Sequence, residues 1–449
     1  MRSINKQSSH ITLSSSLLFI FCLLTAGVVA GAQTGGGRRV DAEKFPGADL
    51  GAKINAADKS LGAGAGEIVV SSGGTVRTQV VISPGHTLRF ASGTYASEVG
   101  GSTYLLKDNT SMRCGRGAVL LESTAPDPTH GGVGPLGSSL FTIVQDHAGS
   151  TLNGNISRNI TVEGCTFRGA RQDFNSAYQT ISMGNCQNCR IEGNRLENTR
   201  TIGMQFGGAA AGGNYALNSV MARNEFIGVA SQNAAITNCV GCRVENNRFI
   251  NPGQVNGPGV TVIDIEPNVG DRVDDILISN NHIDATLTPL DASGPKTTNG
   301  IAANAGNQTV MFRNVRIVGN TVIGASHSAP WSRIQYAGIL VRTAPGVTVS
   351  GNTLRRLNRG IVVDHDSTDF TIRENTLISC GTGGTASFSI ERSSGGRVIS
   401  NELRDEPGDA MGLGPRALII YEEPPSDNNL FQGNRANVQK TGRRSRVVQ

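Results

Sequence analysis

The sequence predicts an all-β chain that folds as one single-stranded, right-handed parallel β-helix, a solenoid of stacked coils behind a short N-terminal capping helix. Three observations predict this fold. An Asn-centred motif recurs through the second half, its spacing varies as loops of different length would require, and an amphipathic segment precedes the first coils. The composition agrees, because 449 residues include 58 Gly and 16 Pro but only 5% aromatic and 17% charged residues. That profile is typical of turn-rich β-proteins.

The repeated motif reads apolar, x, x, Asn, x, apolar. The eight intervals between Asn194 and Asn434 average 30 residues and range from 23 to 39. A constant short element with variable insertions is typical of stacked coils with loops on their rims. The copies centre on Asn194, Asn224, Asn247, Asn281, Asn320, Asn352, Asn375, Asn401 and Asn434, and Val162–Cys165–Phe167 is a first copy with Cys in place of Asn.

The chemistry of the motif predicts how the coils stack. A strand facing a narrow core needs an apolar residue at every second position. Where the chain turns a corner, an inward Asn can bond the unpaired backbone and tolerate left-handed geometry, and such residues can form a ladder from coil to coil. Leucine-rich repeats also carry an Asn, but they need more Leu and a shorter period, so we set them aside.

The chain divides into five predicted parts. Residues 1–32 are predicted to be a signal peptide, with Arg2 and Lys6 before an apolar run and a small-residue cleavage site at Ala30-Gly31-Ala32; an uncleaved anchor is the alternative. Residues 33–45 are predicted to be a linker. Residues 46–75 form the cap, with one apolar helical face and Pro46 near the helix start. Residues 76–435 are the β-helix, and residues 436–449 a basic disordered tail.

The net charge and the predicted signal peptide limit the classes of partner and the cellular location that we expect. The formal net charge is +5, and losing Arg2 and Lys6 with the signal leaves +3, much of it in the tail. The body is near neutral, so we expect no nucleic-acid partner. We also expect no membrane association after signal cleavage. The predicted location is secreted, meaning extracellular or periplasmic.

Seven of the eight cysteines remain after the predicted cleavage. Cys186-x-x-Cys189 and Cys239-x-x-Cys242 resemble two halves of a zinc site. The repeat places these pairs two coils apart, roughly 9–10 Å, which is too far for four sulfurs on one ion. We therefore predict buried thiols or local disulfides and no metal site.

The capping segment Pro46–Ala57, the strand Glu67–Val70 and the Asn-containing coils resemble the pectate-lyase-like superfamily of right-handed β-helix proteins, over about residues 46–435. Its members include pectate lyases, polygalacturonases, alginate epimerases, phage tailspikes and non-catalytic surface proteins. The segment Ile263–Asn268 is also similar to a stretch of carbohydrate-binding and sugar-hydrolase β-helix proteins. The resemblance implies the fold and a glycan partner.

The enzyme motifs of that superfamily are not carried over. The polygalacturonase pattern needs Asn-Thr-Asp, Asp-Asp, Gly-His-Gly and Arg-Ile-Lys, none of which is present. Asp364-His365-Asp366 is only a weak match to the Asp-Pro-His-Glu of alginate epimerases. The resemblance therefore supplies no catalytic residue, and candidates must come from the strand pattern itself.

Alternation along the second strand of each coil predicts a column of outward side chains, Arg342, Asp364 and Glu391, on successive coils about 4.8 Å apart. Two carboxylates at that spacing suit a retaining glycosidase. An Arg beside acids equally suits a lyase base, with Ca²⁺ held between the acids and a sugar carboxylate. The alternative is an ordinary surface ladder of ion pairs.

Further residues are predicted to bind substrate. Asp264 and Glu266 point outward about three coils away, and two carboxylates at i, i+2 repel each other and so require a reason. Trp331 and Tyr336 lie in a long interval, where an aromatic ring is a plausible sugar platform or a packing residue. Tyr421 lies one coil beyond Glu391.

Two functional hypotheses remain open at this stage. The first is a secreted protein that binds polysaccharide and cleaves it, as a lyase or glycoside hydrolase, and the second is a non-catalytic extracellular binding protein. A tailspike-like trimer is a weaker third. The sequence requires no cofactor, and Ca²⁺ would serve only the lyase alternative.

Overall fold

The computed structural model describes residues 37–100, 102–123, 143–145, 156–169, 179–199, 202–207, 215–253, 260–291, 294–306, 311–382, 384–415 and 417–448. The predicted signal peptide, residues 1–32, lies outside them. Within these ranges the prediction of a right-handed parallel β-helix with one short N-terminal helix is confirmed. No helix in them is long and apolar enough to cross a membrane.

Three parallel sheets run along the solenoid, and each coil visits sheets A, B and C in that order. In the described residues, sheet A comprises Arg38–Asp41, Gly66–Val70, His86–Phe90, Ser111–Cys114, Ser157–Arg158, Thr161–Glu163, Cys186–Gln187, Arg190–Glu192, Ala216–Leu217, Val220–Ala222, Cys239–Val240, Arg243–Glu245, Arg272–Ser279, Met311–Val318, Thr348–Ser350, Thr371–Arg373, Arg397–Ile399, Leu430–Gln432 and Arg446–Val448. Sheet B comprises Gly74–Val76, Gly93–Ser97, Ala118–Leu121, Thr166–Arg168, Arg195–Glu197, Glu225–Ile227, Arg248–Ile250, His282–Asp284, Thr321–Ile323, Thr353–Arg355, Thr376–Ile378 and Glu402–Arg404. Sheet C comprises Val80–Ile82, Tyr104–Leu106, Ile143–Gln145, Gln179–Met183, Ile202–Phe206, Ala234–Ile236, Val260–Ile265, Thr297–Asn304, Ile334–Arg342, Ile361–Asp364, Phe388–Glu391, Ile419–Glu423 and Asn437–Gln439. A small antiparallel hairpin, Leu290–Asp291 with Gly294–Pro295, projects from one corner.

The predicted Asn ladder is present between sheets A and B. Each ladder Asn donates its backbone amide and its side-chain amide to the side-chain oxygen of the Asn on the next coil, at 2.8–3.1 Å from Asn194 to Asn434. Each side-chain amide also donates to a backbone carbonyl of the preceding coil, as Asn224 does to Ile191 at 2.9 Å. Cys165 occupies the first ladder position, because its amide donates to Asn194.

The left-handed residue at this corner is not the Asn itself, as the sequence had suggested, but the residue before it. That residue has φ between 54° and 70° at ten successive corners, including Gly193, Asn246 and Gly351. Arg223, Glu374 and Ser400 adopt the same conformation despite their side chains. This backbone is costly for a non-glycine residue, so the ladder hydrogen bonds must stabilise it.

The N-terminal cap covers the first coil. Asp49 begins the helix α1 (Leu50–Leu61) by accepting from the amides of Gly51 and Ala52, at 2.7 and 3.4 Å. Asp58 on the same helix is buried and bonds Ser83 and His86, at 2.5–3.0 Å. The stretch 33–45, expected to be a linker, differs from that expectation: Arg38–Asp41 pairs in parallel with Gly66–Val70 and covers the first edge of sheet A, and a 3₁₀ turn follows at Ala42–Lys44.

The C-terminal segment also differs from the expectation of a disordered tail at 436–449. Asn437–Gln439 extends sheet C and Arg446–Val448 extends sheet A. Arg444 pairs with Asp427 at 2.8 Å. The last coil would otherwise leave backbone groups unpaired, and these two strands satisfy them.

The cysteines form local disulfides, one of the two predicted outcomes. Cys186 pairs with Cys189, and Cys239 with Cys242. The strands that carry the two pairs are two coils apart, because the strand at Ala216–Leu217 lies between them. A further disulfide joins Cys114 to Cys165 on neighbouring coils, and Cys380 is free and buried.

Candidate functional site

The outer face of sheet C lies between two corners that carry the variable insertions. The A–B corner is short and constant because the Asn ladder fixes it, so insertions fall at the B–C and C–A corners. The chain between Ile323 and Ile334 borders the face on one side, and the turn at residues 266–271 borders it on the other. Side chains that point outward from sheet C are therefore flanked by loops, as in a groove.

Register pairing places one row of these side chains across successive coils. We call it the Asp264 row; it comprises Ser182, Gln205, Ala235, Asp264, Ala302, Leu340, Val362, Ser389 and Tyr421. A second row, the Arg342 row, lies two residues further along each strand. Asn304, Arg342 and Asp364 are paired in register, as are Glu391 and Glu423. Continuing the neighbouring pairs by one residue adds Glu266 beside Asn304 and joins Asp364 to Glu391. The predicted column of Arg342, Asp364 and Glu391 therefore exists, and Tyr421 lies in the neighbouring row.

Asp264 is the most perturbed acid of this face. Only 8% of its surface is exposed although its side chain points away from the core. Burial, and next the nearby carboxylate of Glu266, raise the pKa of Asp264 to about 7, against a smaller opposite effect of its hydrogen bond with Gln232. Ser231 donates to the side-chain oxygen of Gln232 at 2.6 Å, which leaves the amide of Gln232 to donate to Asp264. The carboxyl of Asp264 is thus held in place and can carry a proton near neutral pH.

The groove around Asp264 has a volume of about 610 Å³. That volume is within the range of small-molecule sites. Polar side chains and a few apolar ones line it: Gln179, Ile202, Gln205, Gln232, Ala235, Thr237, Asp264, Glu266, Pro267, Asn268, Val269 and Gly306. Glu266 and Val269 are exposed at its edge, so the groove opens to solvent.

Arg342 and Asp364 form a tight pair. The guanidinium of Arg342 donates through both Nε and Nη2 to the carboxylate of Asp364, at 2.9 and 2.5 Å. The Tyr336 hydroxyl donates to Asp364 at 3.1 Å, and Asp364 itself is 1% exposed. The hydrogen bond with Asp364 raises the pKa of Arg342 above its ordinary value. His365 also approaches Asp364, at 3.1 Å, from a left-handed corner position.

Glu391 joins this cluster through a different cation. Its carboxylate accepts from Arg359 at 2.7 Å and from Ser389 at 2.8 Å. The Tyr336 ring lies between the two arginines, with the guanidinium carbons of Arg342 and Arg359 at 5.7 and 5.1 Å from its centre. Burial, then the charges of Asp364 and Glu391, raise the pKa of Tyr336 to about 12. The three predicted catalytic residues thus lie in two ion pairs, Arg342 with Asp364 and Arg359 with Glu391, and both arginines contact the Tyr336 ring.

An apolar shelf separates the two polar regions of the face. It consists of Ala302, Ala337, Leu340 and Val362, with Tyr336 packed against it. Trp331 lies in the B–C loop before this strand, is 43% exposed, and has the guanidinium of Arg333 at 4.7 Å from its ring. Of the three aromatic residues named from the sequence, Tyr336 packs on the outer face of sheet C, Tyr421 lies in the Asp264 row, and Trp331 lies in the loop that precedes the strand of Tyr336.

Among the described residues, one group of three side chains has the chemistry of a metal site: His327, Glu406 and Asp409, with ligand atoms within 4.8 Å of one another. The guanidinium of Arg356 lies among them and donates to all three, at 2.7–2.8 Å. A fixed cation therefore already satisfies these acceptors, and the donor set does not fit a metal ion. Asp264 and Glu266 belong to no such group in the part of the chain that the structure describes.

Sequence reasoning named Asp264 and Glu266 but missed the groove residues around them. Gln205 was visible in the strand Gly203–Phe206, where alternation directs it outward, but only a coil count aligns it with Asp264. Gln232 lies in a turn outside any strand pattern. Arg359 and Arg356 lie at a corner whose path the sequence does not specify, so no signal could have revealed their partners.

Comparisons with known proteins agree with the architecture. The profile of a family described as periplasmic copper-binding protein (NosD) matches residues 279–445. No curated protein matches the chain significantly.

Solved structures match over most of the chain. The A-module of mannuronan C-5 epimerase AlgE4 from Azotobacter vinelandii is 11% identical, with a TM-score of 0.55 over 91% of this chain and 99% of that one. The family 28 exopolygalacturonase of Yersinia enterocolitica is 13% identical, with a TM-score of 0.57 over 92% and 77%. The tailspike of Escherichia coli bacteriophage HK620, solved with a pentasaccharide, is 13% identical, with a TM-score of 0.52 over 88% and 71%. At these identities the matches show the fold alone, a right-handed parallel β-helix, which is the fold that the resemblance found in the sequence implies.

Proposed function

We propose that this protein binds a polysaccharide along the outer face of sheet C and hydrolyses it, with Asp264 as the proton donor and Glu266 as the base. One observation carries the proposal: a carboxyl group with a pKa of about 7 lies in a solvent-open groove beside a second, exposed carboxylate. A general acid is most effective when its pKa is near the working pH.

The spacing of the two acids favours inversion at the anomeric carbon. Asp264 lies in the strand Val260–Ile265 and Glu266 directly follows it, so in extended backbone their Cα atoms are about 6.6 Å apart. Two side chains that leave an extended backbone in the same direction place their carboxyl groups at a similar separation. Inverting glycosidases separate their carboxyl groups by roughly 6.5–9.5 Å to admit a water molecule. In the proposed reaction the oxygen of a water molecule bonds the anomeric carbon while Glu266 accepts a proton from that water. Asp264 gives its proton to the departing glycosidic oxygen as the C–O bond breaks.

The environment of Arg342, Asp364 and Glu391 supports a binding role for that cluster. A lyase base must be able to lose a proton, and the hydrogen bond with Asp364 makes Arg342 harder to deprotonate. Asp364 is buried and already accepts from Arg342 and Tyr336. We therefore assign this cluster, with the apolar shelf, to holding sugar rings beyond the reaction centre.

The family match and the structural neighbours support a function outside the cytoplasm. The matching family is described as periplasmic, and structural neighbours include a polygalacturonase and a tailspike solved with a pentasaccharide. We propose that the chain is exported and acts on glycans in the periplasm or outside the cell. The copper-binding part of the family description finds no support in the His327–Glu406–Asp409 group, because Arg356 occupies it.

The test is a screen of purified protein against a panel of polysaccharides, with release of reducing ends as the readout. Asp264→Asn and Glu266→Gln should each lower turnover by at least about 100-fold. Glu423→Gln, an exposed acid at the far end of the Arg342 row, is the matched control and should leave turnover unchanged.

Two results would redirect the assignment. If Asp364→Asn and Glu391→Gln abolish turnover while Asp264→Asn and Glu266→Gln do not, the reaction centre is the cluster predicted from the sequence. If the protein binds a glycan of the panel but releases no product, including no unsaturated lyase product, it is the non-catalytic binding protein of the second hypothesis.

A further inference from the structure

We propose that the groove of sheet C selects uncharged glycans and rejects polyuronates. This inference rests on the proposed function, because it names the substrate class of the same groove. It differs from the expectation of a uronate-binding lyase, and it follows from the charges that line the face.

Among the described residues, the lining of the groove around Asp264 presents no cation to a sugar carboxylate. None of the residues lining it in the described part of the chain is Lys or Arg, whereas Asp264 and Glu266 are both acids. Above the pKa of Asp264, which is about 7, both acids are ionised, and a uronate placed there would bring a third carboxylate among them. Like charges a few ångströms apart repel strongly when partly removed from water, and an unpaired buried carboxylate is costly.

The arginines further along the face are already paired. Arg342 holds Asp364 through two nitrogens, and Arg359 holds Glu391 at 2.7 Å. A uronate could engage either one only by displacing a carboxylate that the protein itself supplies. The cluster therefore adds no net positive charge to compensate for the acids of the groove.

The same face does offer what a neutral sugar needs. The apolar shelf and the Tyr336 ring present a surface for the C–H faces of pyranose rings. The amides of Gln205 and Gln232 and the carboxylates of Asp264 and Glu266 can bond hydroxyl groups. A sugar hydroxyl can donate to a carboxylate of the groove, whereas the carboxylate group of a uronate can only accept, so the acids favour a ring that carries a hydroxyl at that position.

A divalent cation is the one route by which the acids could hold a polyuronate. Two carboxylates and a sugar carboxylate can share a Ca²⁺ ion. Asp264 and Glu266 lack a third protein ligand of the His, Cys, Asp or Glu type among the described residues, so this bridge has little support. The test must nevertheless include Ca²⁺.

Binding is measured at about pH 8, where Asp264 is ionised, and at low ionic strength, in excess EDTA and with added Ca²⁺. The polymers are neutral (dextran, laminarin, xylan) or polyuronates (polygalacturonate, alginate). A neutral polymer should bind at least about tenfold more tightly than either polyuronate in both conditions. Glu266→Arg should gain polyuronate binding, because it replaces an exposed acid of the groove with a cation. Glu423→Arg makes the same charge change five coils along the Arg342 row and should not.

The outcomes separate this inference from the function on which it rests. Polyuronate binding as tight as neutral-glycan binding, with EDTA or only with Ca²⁺, would overturn the inference and leave glycan binding intact. If no polymer of either class binds the wild-type protein or Glu266→Arg, both the inference and the proposed function fail. Thermal unfolding of both variants checks that exposed Glu266 and Glu423 are dispensable for folding.

Discussion

The side-chain oxygen of Asn224 accepts both the backbone amide and the side-chain amide of Asn194, at 3.0 and 3.1 Å, one coil away. The relationship repeats from coil to coil, so each Asn serves as an acceptor for one neighbour and a donor to the other. The side-chain amides of the ladder are thereby paired inside a hydrocarbon core. Such buried networks are highly stabilising when complete and costly when one member is lost.

Replacing Asn247 with Ala should therefore destabilise the solenoid more than an ordinary buried truncation. The change leaves the backbone and side-chain amides of Asn224 without their acceptor, and it frees the carbonyl of Met221. We expect a loss of about 3–5 kcal/mol in the free energy of unfolding, measured by urea denaturation. Asn437→Ala, at an exposed strand position, is the control and should change it by less than about 0.5 kcal/mol. Equal effects of the two changes would contradict the ladder's role.

Asp264→Asn should make stability less sensitive to pH. In the unfolded chain Asp264 loses its proton near its ordinary pKa of 3.8, whereas in the folded protein it keeps the proton until about pH 7. The folded state binds more protons across this window, so stability falls as pH rises from about 4 to 7 and is level above it. The variant should be more stable than wild type by at most about 4 kcal/mol at pH 8 and similar to it near pH 4.

The measurement is thermal or urea unfolding of both proteins across that pH range. Glu423→Gln removes an exposed acid that does not contribute to the pKa shift of Asp264, and it tests whether any loss of a carboxylate gives the same result. A stability difference between Asp264→Asn and wild type that is the same at pH 4 and pH 8 would show that Asp264 titrates normally. A more stable but inactive variant would be the expected trade-off at a functional acid.

The fold was predictable from the sequence because its determinants are local. The Asn ladder and the inward apolar residues of each coil depend only on short-range spacing, which a repeat displays many times. The acidic pair at Asp264 and Glu266 was visible for the same reason, since alternation along one strand directs both outward. The pairing of the rows was approximately predictable, because coils follow one another at a constant strand spacing.

What the sequence could not supply depends on corners and loops. The burial that raises the pKa of Asp264 depends on the loops that line its groove, including the turn after Glu266, and insertions of irregular length set the paths of those loops. Arg359, which lies at a corner, pairs with Glu391, so Glu391 does not pair with its neighbours in the predicted column. The ordered C-terminal strands were missed because basic composition suggested solvation, while one buried acid, Glu422, organises that end.

Glu422 is a fully buried carboxylate that holds the last coil together. It accepts from the backbone amides of Thr441 and Gly442, at 3.0 and 2.9 Å, and from the side chains of Asn429 and Ser445, at 2.8 and 2.5 Å. Glu422→Gln places an amide group against these donors. We expect a loss of about 2–4 kcal/mol and faster amide hydrogen exchange across residues 437–448.

The neighbouring exposed acid provides the matched control for this prediction. Glu423→Gln makes the same chemical change one residue away and should leave hydrogen exchange at the C-terminal end unchanged. Unchanged exchange in Glu422→Gln as well would mean that strand pairing alone holds the last coil. Exchange is the appropriate readout because local opening of an end coil need not alter the global unfolding midpoint.

Arg356 should behave as a built-in cation whose removal creates a metal site. Its guanidinium joins the loop carrying His327 to the loop carrying Glu406 and Asp409, and it is only 7% exposed. Arg356→Ala leaves an imidazole and two carboxylates, with ligand atoms within 4.8 Å of one another, facing a vacated volume. We expect a loss of about 2–4 kcal/mol without metal, and a rise in the unfolding temperature on adding Zn²⁺ or Cu²⁺.

Arg355→Ala separates this effect from simple loss of an ion pair. Arg355 also donates to Glu406, at 2.7 Å, but its removal leaves Arg356 among the three acceptors, so metal ions should not shift the unfolding temperature of that variant. The wild-type protein should likewise show no shift assigned to this group. The contrary outcome is a metal-dependent rise in the unfolding temperature of the wild-type protein that His327→Ala abolishes and Arg356→Ala does not increase. That result would mean that copper or zinc displaces the guanidinium of Arg356 and binds the group in the wild-type protein.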